Sequence, residues 1–125
     1  MSKPLVYIAS PYTKGIPGFN AYFQCRIFDQ MMTDGIVWPV APLLSHFQHT
    51  MFPQPYEAWI EYDLVILDRC DALIRLAAEM PSEGYYQWES EGADNESNVM
   101  SESGRPVFGS LADCYEWANN KGVKA

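Results

Sequence analysis

Leu5-Val6-Tyr7-Ile8-Ala9 is an apolar run with no alternation of polar and apolar residues. Such a strand must be covered on both faces, which a parallel sheet flanked by helices achieves. The rest of the chain repeats this theme. From Phe19, Tyr22, Phe23, Ile27, Met31 and Met32 recur at helical spacing, and Gly35 after Asp34 is a helix stop. Ile36-Val37-Trp38-Pro39-Val40 reads as a second strand, with Pro39 near its end or on an edge. Residues 41–55, with three prolines and two histidines, read as an ordered loop. Residues 56–69 form the clearest helix, with Tyr56, Trp59, Ile60, Leu64 and Leu67 on one face. Ala72-Leu73-Ile74-Arg75-Leu76 is a third strand. Residues 77–89 show no periodicity and read as a loop or lid. A helix from Ser90 to about Ser103, a strand from Arg105 to Phe108 and a helix over 111–120 complete the series.

Strand and helix alternate four times, which implies a parallel sheet with helices on both faces. The 125 residues suffice for about one domain. The expectation is a single α/β domain over residues 1–125. It is a three-layer sandwich with a parallel sheet of about four to five strands, doubly wound and flavodoxin-like. In such folds ligands bind beyond the carboxyl ends of the strands. Ser10-Pro11-Tyr12, the loop after the second strand and the stretch around 77–96 fall there.

Charge narrows the partners. Eight Lys and Arg against sixteen Asp and Glu give a net charge of −8. That argues against nucleic acid and anionic membranes, both of which need basic surface. The longest apolar runs fall far short of the roughly twenty residues of a membrane span. No signal peptide is visible. Cys25, Cys70 and Cys114 are odd in number and form no CxxC pair, so a reduced, cytoplasmic protein is expected.

The stretch Ser90-Glu91-Gly92-Ala93-Asp94-Asn95-Glu96 is the most informative. Ser90 suits a helix N-cap, Gly92 permits close approach, and Glu96 lies one to two turns in. A capped helix with a solvated acidic start accounts for the same pattern. Asp71 opens the third strand, where an acid is a poor strand former, or else it ends the preceding helix region. Tyr7 lies inside the first strand, where a buried phenol needs a partner or simply packs. His46-Phe47-Gln48-His49 invites a metal, but a third ligand is missing from the pattern. A structural or base-contacting role fits that motif better. Trp38 and Trp59 read as core. Tyr85, Tyr86 and Trp88 could form a lid that stacks on a base.

Taken in order, these residues resemble the nucleoside 2-deoxyribosyltransferase-like superfamily. That group includes deoxyribosyltransferases and nucleoside 5′-monophosphate N-glycosidases. The resemblance covers most of the chain. It rests on Tyr7-Ile8-Ala9-Ser10-Pro11, on Asp71 within Cys70-Asp71-Ala72-Leu73-Ile74, and on Ser90-x-Gly92-x-x-x-Glu96. A compact bacterial and phage subgroup, with stretches like residues 42–49 and 90–96, is most similar.

The resemblance implies that Glu96 attacks C1′ of the sugar, Asp71 handles the proton of the departing base, and Tyr7 orients Glu96. Ser10, Pro11, Ser90 and Gly92 would bind substrate. Ser110 would reach into the cleft of a neighbouring subunit in a homo-oligomer, either a dimer or a dimer of dimers. No cofactor and no metal are needed. A serine six residues before the nucleophile, here Ser90, is the mark of members that act on monophosphates. Hydrolysis of a (deoxy)nucleoside 5′-monophosphate is therefore the leading expectation. The turn after the first strand offers Pro11, Tyr12 and Lys14 where the better-known hydrolases have an arginine and paired glycines.

The chemistry stands on its own terms. Cleaving an N-glycosidic bond builds positive charge at C1′, which a carboxylate beneath the sugar stabilises or captures. The departing base is a poor anion and needs a proton from a positioned acid. Base exchange between deoxynucleosides and nucleotide binding without cleavage are the rivals. A phosphorylated response-regulator-like domain is disfavoured, because no paired acids follow the first strand. The order of Asp71 and Glu96 predicts that the two carboxyls converge in one cleft.

Overall fold

The computed structural model describes residues 3–12, 16–76 and 90–124. Its elements are β1 (Leu5–Ala9), α1 (Pro17–Asp34), β2 (Trp38–Val40), α2 (His46–Met51), α3 (Tyr56–Asp68), β3 (Ala72–Arg75), α4 (Glu91–Glu102), β4 (Val107–Phe108) and α5 (Leu111–Lys124). A short 3₁₀ turn, Pro42–Ser45, precedes α2. The expected lid over residues 77–89, with Tyr85, Tyr86 and Trp88, lies outside the described residues, as does Lys14.

The four strands are all parallel, in the order β2-β1-β3-β4. This is a mixed α/β architecture, compatible with the doubly wound fold that the alternation implies. Side chains of successive strand residues point to opposite faces, and each face has its own core. Val6, Ile8, Ala72 and Ile74 pack on Ile27 and Met31 of α1 and on Cys114 and Ala118 of α5. Tyr7, Ala9 and Leu73 face the other way, onto Leu67 of α3 and Ala93 and Met100 of α4. Each large apolar side chain so buried contributes roughly 1.5–3 kcal/mol. The strand order reverses between β1 and β3, so a crevice opens beyond their carboxyl ends.

Several boundaries differ from expectation. Helix α1 begins at Pro17, because proline at the first helical position gives up no intrahelical bond. It ends where Gly35, at φ 71°, donates its N–H to the Met31 carbonyl, a left-handed cap that favours glycine. Residues 41–55 are not wholly loop. Pro42 starts the 3₁₀ turn, and α2 follows directly from it. Trp38 is not core: it is 44% exposed on the edge strand β2, with the Lys3 ammonium 4.0 Å from its ring centroid. Pro39 takes the buried position instead, and edge strands tolerate proline.

The amino-terminal rim of the sheet is held by polar contacts. Asp71 accepts the Leu5 N–H at 2.8 Å, and the Asp71 N–H returns to the Leu5 carbonyl at 2.8 Å. The Arg105 guanidinium donates to the carbonyls of Leu67, Asp68 and Cys70 at 3.3, 3.1 and 2.6 Å. A cation at the end of α3 satisfies carbonyls that the helix leaves open. Arg105→Ala is expected to lower unfolding stability by about 2 kcal/mol in urea titrations, the scale of charge-assisted hydrogen bonds.

Candidate active site

A cleft of about 670 Å³ lies beyond the carboxyl end of β1. Ser10 and Tyr12 come from the turn after β1, His49 from α2, Trp59 and Asp63 from α3, and Ser90, Glu91, Gly92 and Glu96 from the start of α4. Its size suits a molecule as large as a nucleoside. A neighbouring cleft of about 810 Å³ shares Trp59 and Asp63 but not Glu96, and Val40, Leu44 and Ile66 give it a more apolar wall.

The sheet fixes one side of the site. Tyr7 is fully buried in the central strand β1, and its hydroxyl donates to Glu96 Oε2. Burial raises Tyr7 far above the ordinary phenol value, and the nearby Glu96 and Asp63 carboxylates push the same way. Tyr7 therefore stays protonated and acts only as a donor to Glu96. Ser90 caps α4 by accepting the Ala93 N–H at 3.1 Å. That cap and the buried Ala93 and Met100 set the turn of α4 that carries Glu96.

Glu96 is pushed up to about 7 by burial. Asp63 pushes the same way, while the Tyr7 hydrogen bond and Arg75 pull it down. Asp63 is raised to about 6, again by burial. Its Oδ1 is buried and has no hydrogen-bond partner among the described residues. Two partly desolvated carboxyls thus line one cleft with titrations near neutrality, an arrangement typical of acid–base and nucleophilic chemistry.

Asp63, not Asp71, is the acid that shares this cleft. Asp71 does not line it, and its carboxylate is bonded to the Leu5 N–H at the amino-terminal end of β1, whereas Ser10 follows the carboxyl end. Parallel strands place Asp71 at the rim where β3 starts. The order of Asp71 and Glu96 along the chain does not show at which end of the sheet an acid stands. Asp63 carried a readable signal: it sits four residues after Trp59 and four before Leu67, on the apolar face of α3. An acid on the buried stripe of a helix is costly unless it has work to do.

The remaining candidates divide. Ser10, Ser90 and Gly92 line the cleft. Ser10 Oγ accepts from the Gln24 side-chain amide at 2.7 Å. A Cβ at Gly92 would sit 3.8 Å from Ser90 Oγ, an ordinary contact, so the protein's own packing does not demand glycine there. Pro11 is buried behind the turn and does not line the cleft. Ser110, expected in a neighbouring subunit's cleft and not in its own, accepts the Asp113 N–H on its Oγ at 3.1 Å at the start of α5. His46 and His49 do not act as a pair. His46 Nδ1 meets the Tyr12 hydroxyl at 2.6 Å, while His49 Nδ1 accepts from Trp59. Among the described residues no group of three His, Cys, Asp or Glu could hold a metal, and no helix is long and apolar enough to cross a membrane. Cys25, Cys70 and Cys114 are free thiols, and burial raises Cys70 and Cys114 to about 11.

No family model, no curated protein and no solved structure matches this chain.

Raised carboxyl values link stability to pH. The folded state binds these protons more tightly than the unfolded chain does. The stability they supply is complete below the ordinary values of 3.8 and 4.5 and is lost as pH rises through about 6 for Asp63 and about 7 for Glu96. Glu96→Gln keeps an acceptor for Tyr7 and removes the buried charge. It is expected to be more stable than the parent at pH 8 by on the order of 2 kcal/mol, with the difference closing by pH 4. Thermal melts across that range check this.

Proposed function

We propose that this cleft cleaves the N-glycosidic bond of a (deoxy)nucleoside or its 5′-monophosphate, with Glu96 as nucleophile and Asp63 as general acid. The observation that carries the reading is the pairing of Glu96, held by the Tyr7 hydroxyl, with Asp63, whose Oδ1 has no partner among the described residues, in one cleft. The likeness to the nucleoside 2-deoxyribosyltransferase-like superfamily supports the same chemistry, with Asp63 in the proton-transfer role first given to Asp71.

The Glu96 carboxylate attacks C1′. The C1′–N bond breaks with its electron pair going to the base, and the Asp63 carboxyl gives that nitrogen a proton. Asp63, now a carboxylate, takes a proton from the water that attacks C1′ of the ester. Glu96 leaves as the carboxylate, and Asp63 is again protonated. If a second base replaces water, the same steps give transfer. Tyr7 orients the attacking oxygen and lowers the charge on it.

The charge of the lining bears on the substrate. Ser10, Ser90 and the first N–H groups of α4 are the features that would hold a 5′-phosphate. Against them stand Asp63, Glu91 and Glu96, with no Lys or Arg lining the cleft among the described residues. A dianion beside carboxylates meets repulsion, so the uncharged nucleoside is the favoured substrate class.

The test is incubation of the protein with nucleosides and their 5′-monophosphates, with free base quantified by chromatography and a second base added in parallel. Base and free sugar are expected, and a new nucleoside instead would make the activity a transfer. Ligands that bind and are recovered unchanged would make the protein a binding module. Glu96→Ala should abolish release. Asp63→Asn should slow it by about 10²–10⁴-fold, while Asp71→Asn should leave the rate within about twofold and act on stability alone. Full loss in Asp71→Asn with normal folding would return the acid role to Asp71.

The reaction needs one proton on the pair, held by Asp63 with Glu96 ionised. Because Glu96 has the higher value, that form is the minor one of the singly protonated pair, and kcat/KM should still be bell-shaped. It should rise through about 6 and fall above about 7. A rate that climbs steadily to pH 9 would exclude the paired-carboxyl mechanism.

A further inference from the structure

We propose that His49 reads the nucleobase, presenting a fixed N–H donor to the cleft that selects a base with a carbonyl oxygen at that edge over one with an amino group there. This deepens the N-glycoside reading and rests on it. Trp59 Nε1 donates to His49 Nδ1 at 2.7 Å, and the Gln54 backbone N–H points to the same nitrogen at 3.4 Å. An indole nitrogen can only donate. His49 Nδ1 is therefore the acceptor, and the ring proton belongs on Nε2. An imidazolium would set N–H against N–H at the same point.

The ring is also fixed in direction. It stands edge-on to Trp59, with centroids 5.8 Å apart and planes at 81°, and Trp59 stands edge-on to Tyr62. His46, in the same motif, differs. Its partner is the Tyr12 hydroxyl, which can turn to donate or accept, so no tautomer is imposed. His46 does not line the cleft, whereas His49 does, with Gln54, Tyr56 and Trp59.

Glu96 and Asp63 claim the sugar and the scissile bond, so the planar base falls towards the aromatic wall that carries His49. A carbonyl oxygen there accepts from Nε2. An amino group would leave two donors facing each other unpaired, the kind of mismatch that polar sites reject most strongly.

Titration calorimetry with free bases tests this without requiring turnover. Hypoxanthine should bind at least about tenfold more tightly than adenine, or uracil than cytosine, according to the ring size accepted. Trp59→Phe removes the donor that sets the tautomer and should shrink that preference to about twofold. His49→Ala should abolish it, and His49→Gln, which keeps an amide donor near the Nε2 position, should retain part of it. Circular dichroism melts confirm that each variant is folded. Equal or tighter binding of the amino bases, a preference that survives His49→Ala, or no binding of any base overturns the proposal. Failure of the N-glycoside reading is separate: bases that bind with the oxo preference while no nucleoside is cleaved would sink that reading and leave the role of His49 standing.

Discussion

The hydroxyl of Tyr7 on the carboxylate of Glu96 is the contact on which the site depends. It joins the most buried strand to the helix that carries Glu96. Tyr7 cannot move, because β2 and β3 flank its strand and Leu67 and Met100 cover its face. Glu96 is held by a part of the core that is fixed for reasons of packing. The same burial that locates the carboxylate makes its charge costly, and the phenol offsets part of that cost. The position of Glu96 and its raised value thus share one physical origin.

A second tie shapes the opposite wall. Gln24 is fully buried in α1, and both ends of its amide are bonded. Nε2 donates to the Ile8 carbonyl at 3.1 Å and to Ser10 Oγ at 2.7 Å, while Oε1 accepts the Leu43 N–H at 2.8 Å. One side chain thereby sets the end of β1 and the 3₁₀ turn against each other. Those two segments supply Ser10, Pro42, Leu43 and Ser45 to the cleft. A buried amide bonded through both its nitrogen and its oxygen specifies one arrangement more sharply than apolar contact does.

Much of this was legible in the chain, and the exceptions have identifiable causes. The unbroken apolar run at residues 5–9 fitted a doubly covered strand, and β1 is one. The Phe23-Ile27-Met31 stripe and the glycine at 35 marked α1 and its end. Serine at 90 announced the cap of α4. Residues 41–55 misled because prolines read as breakers, yet Pro42 begins a turn of helix. Trp38 misled because size suggests burial, while its place on an edge strand depends on sheet order, which local pattern does not carry. The acid of the cleft needed the third dimension most: the sequence pointed to Asp71, and the cleft holds Asp63. Both are acids near apolar residues, and only the fold shows that one meets the amino-terminal rim and the other the cleft.

Asp71 and Arg105 brace the rim where strands begin, and Glu96, Asp63 and His49 gather where they end. The two ends of the sheet can therefore diverge independently. Substitutions that toughen the amino-terminal rim leave the carboxylates of the cleft untouched. At the other end no such freedom exists: relieving the buried charge of Glu96 makes the molecule sturdier and removes the carboxyl that Tyr7 holds in the cleft. The trade between durability and a poised carboxyl pair is confined to one edge of a single sheet.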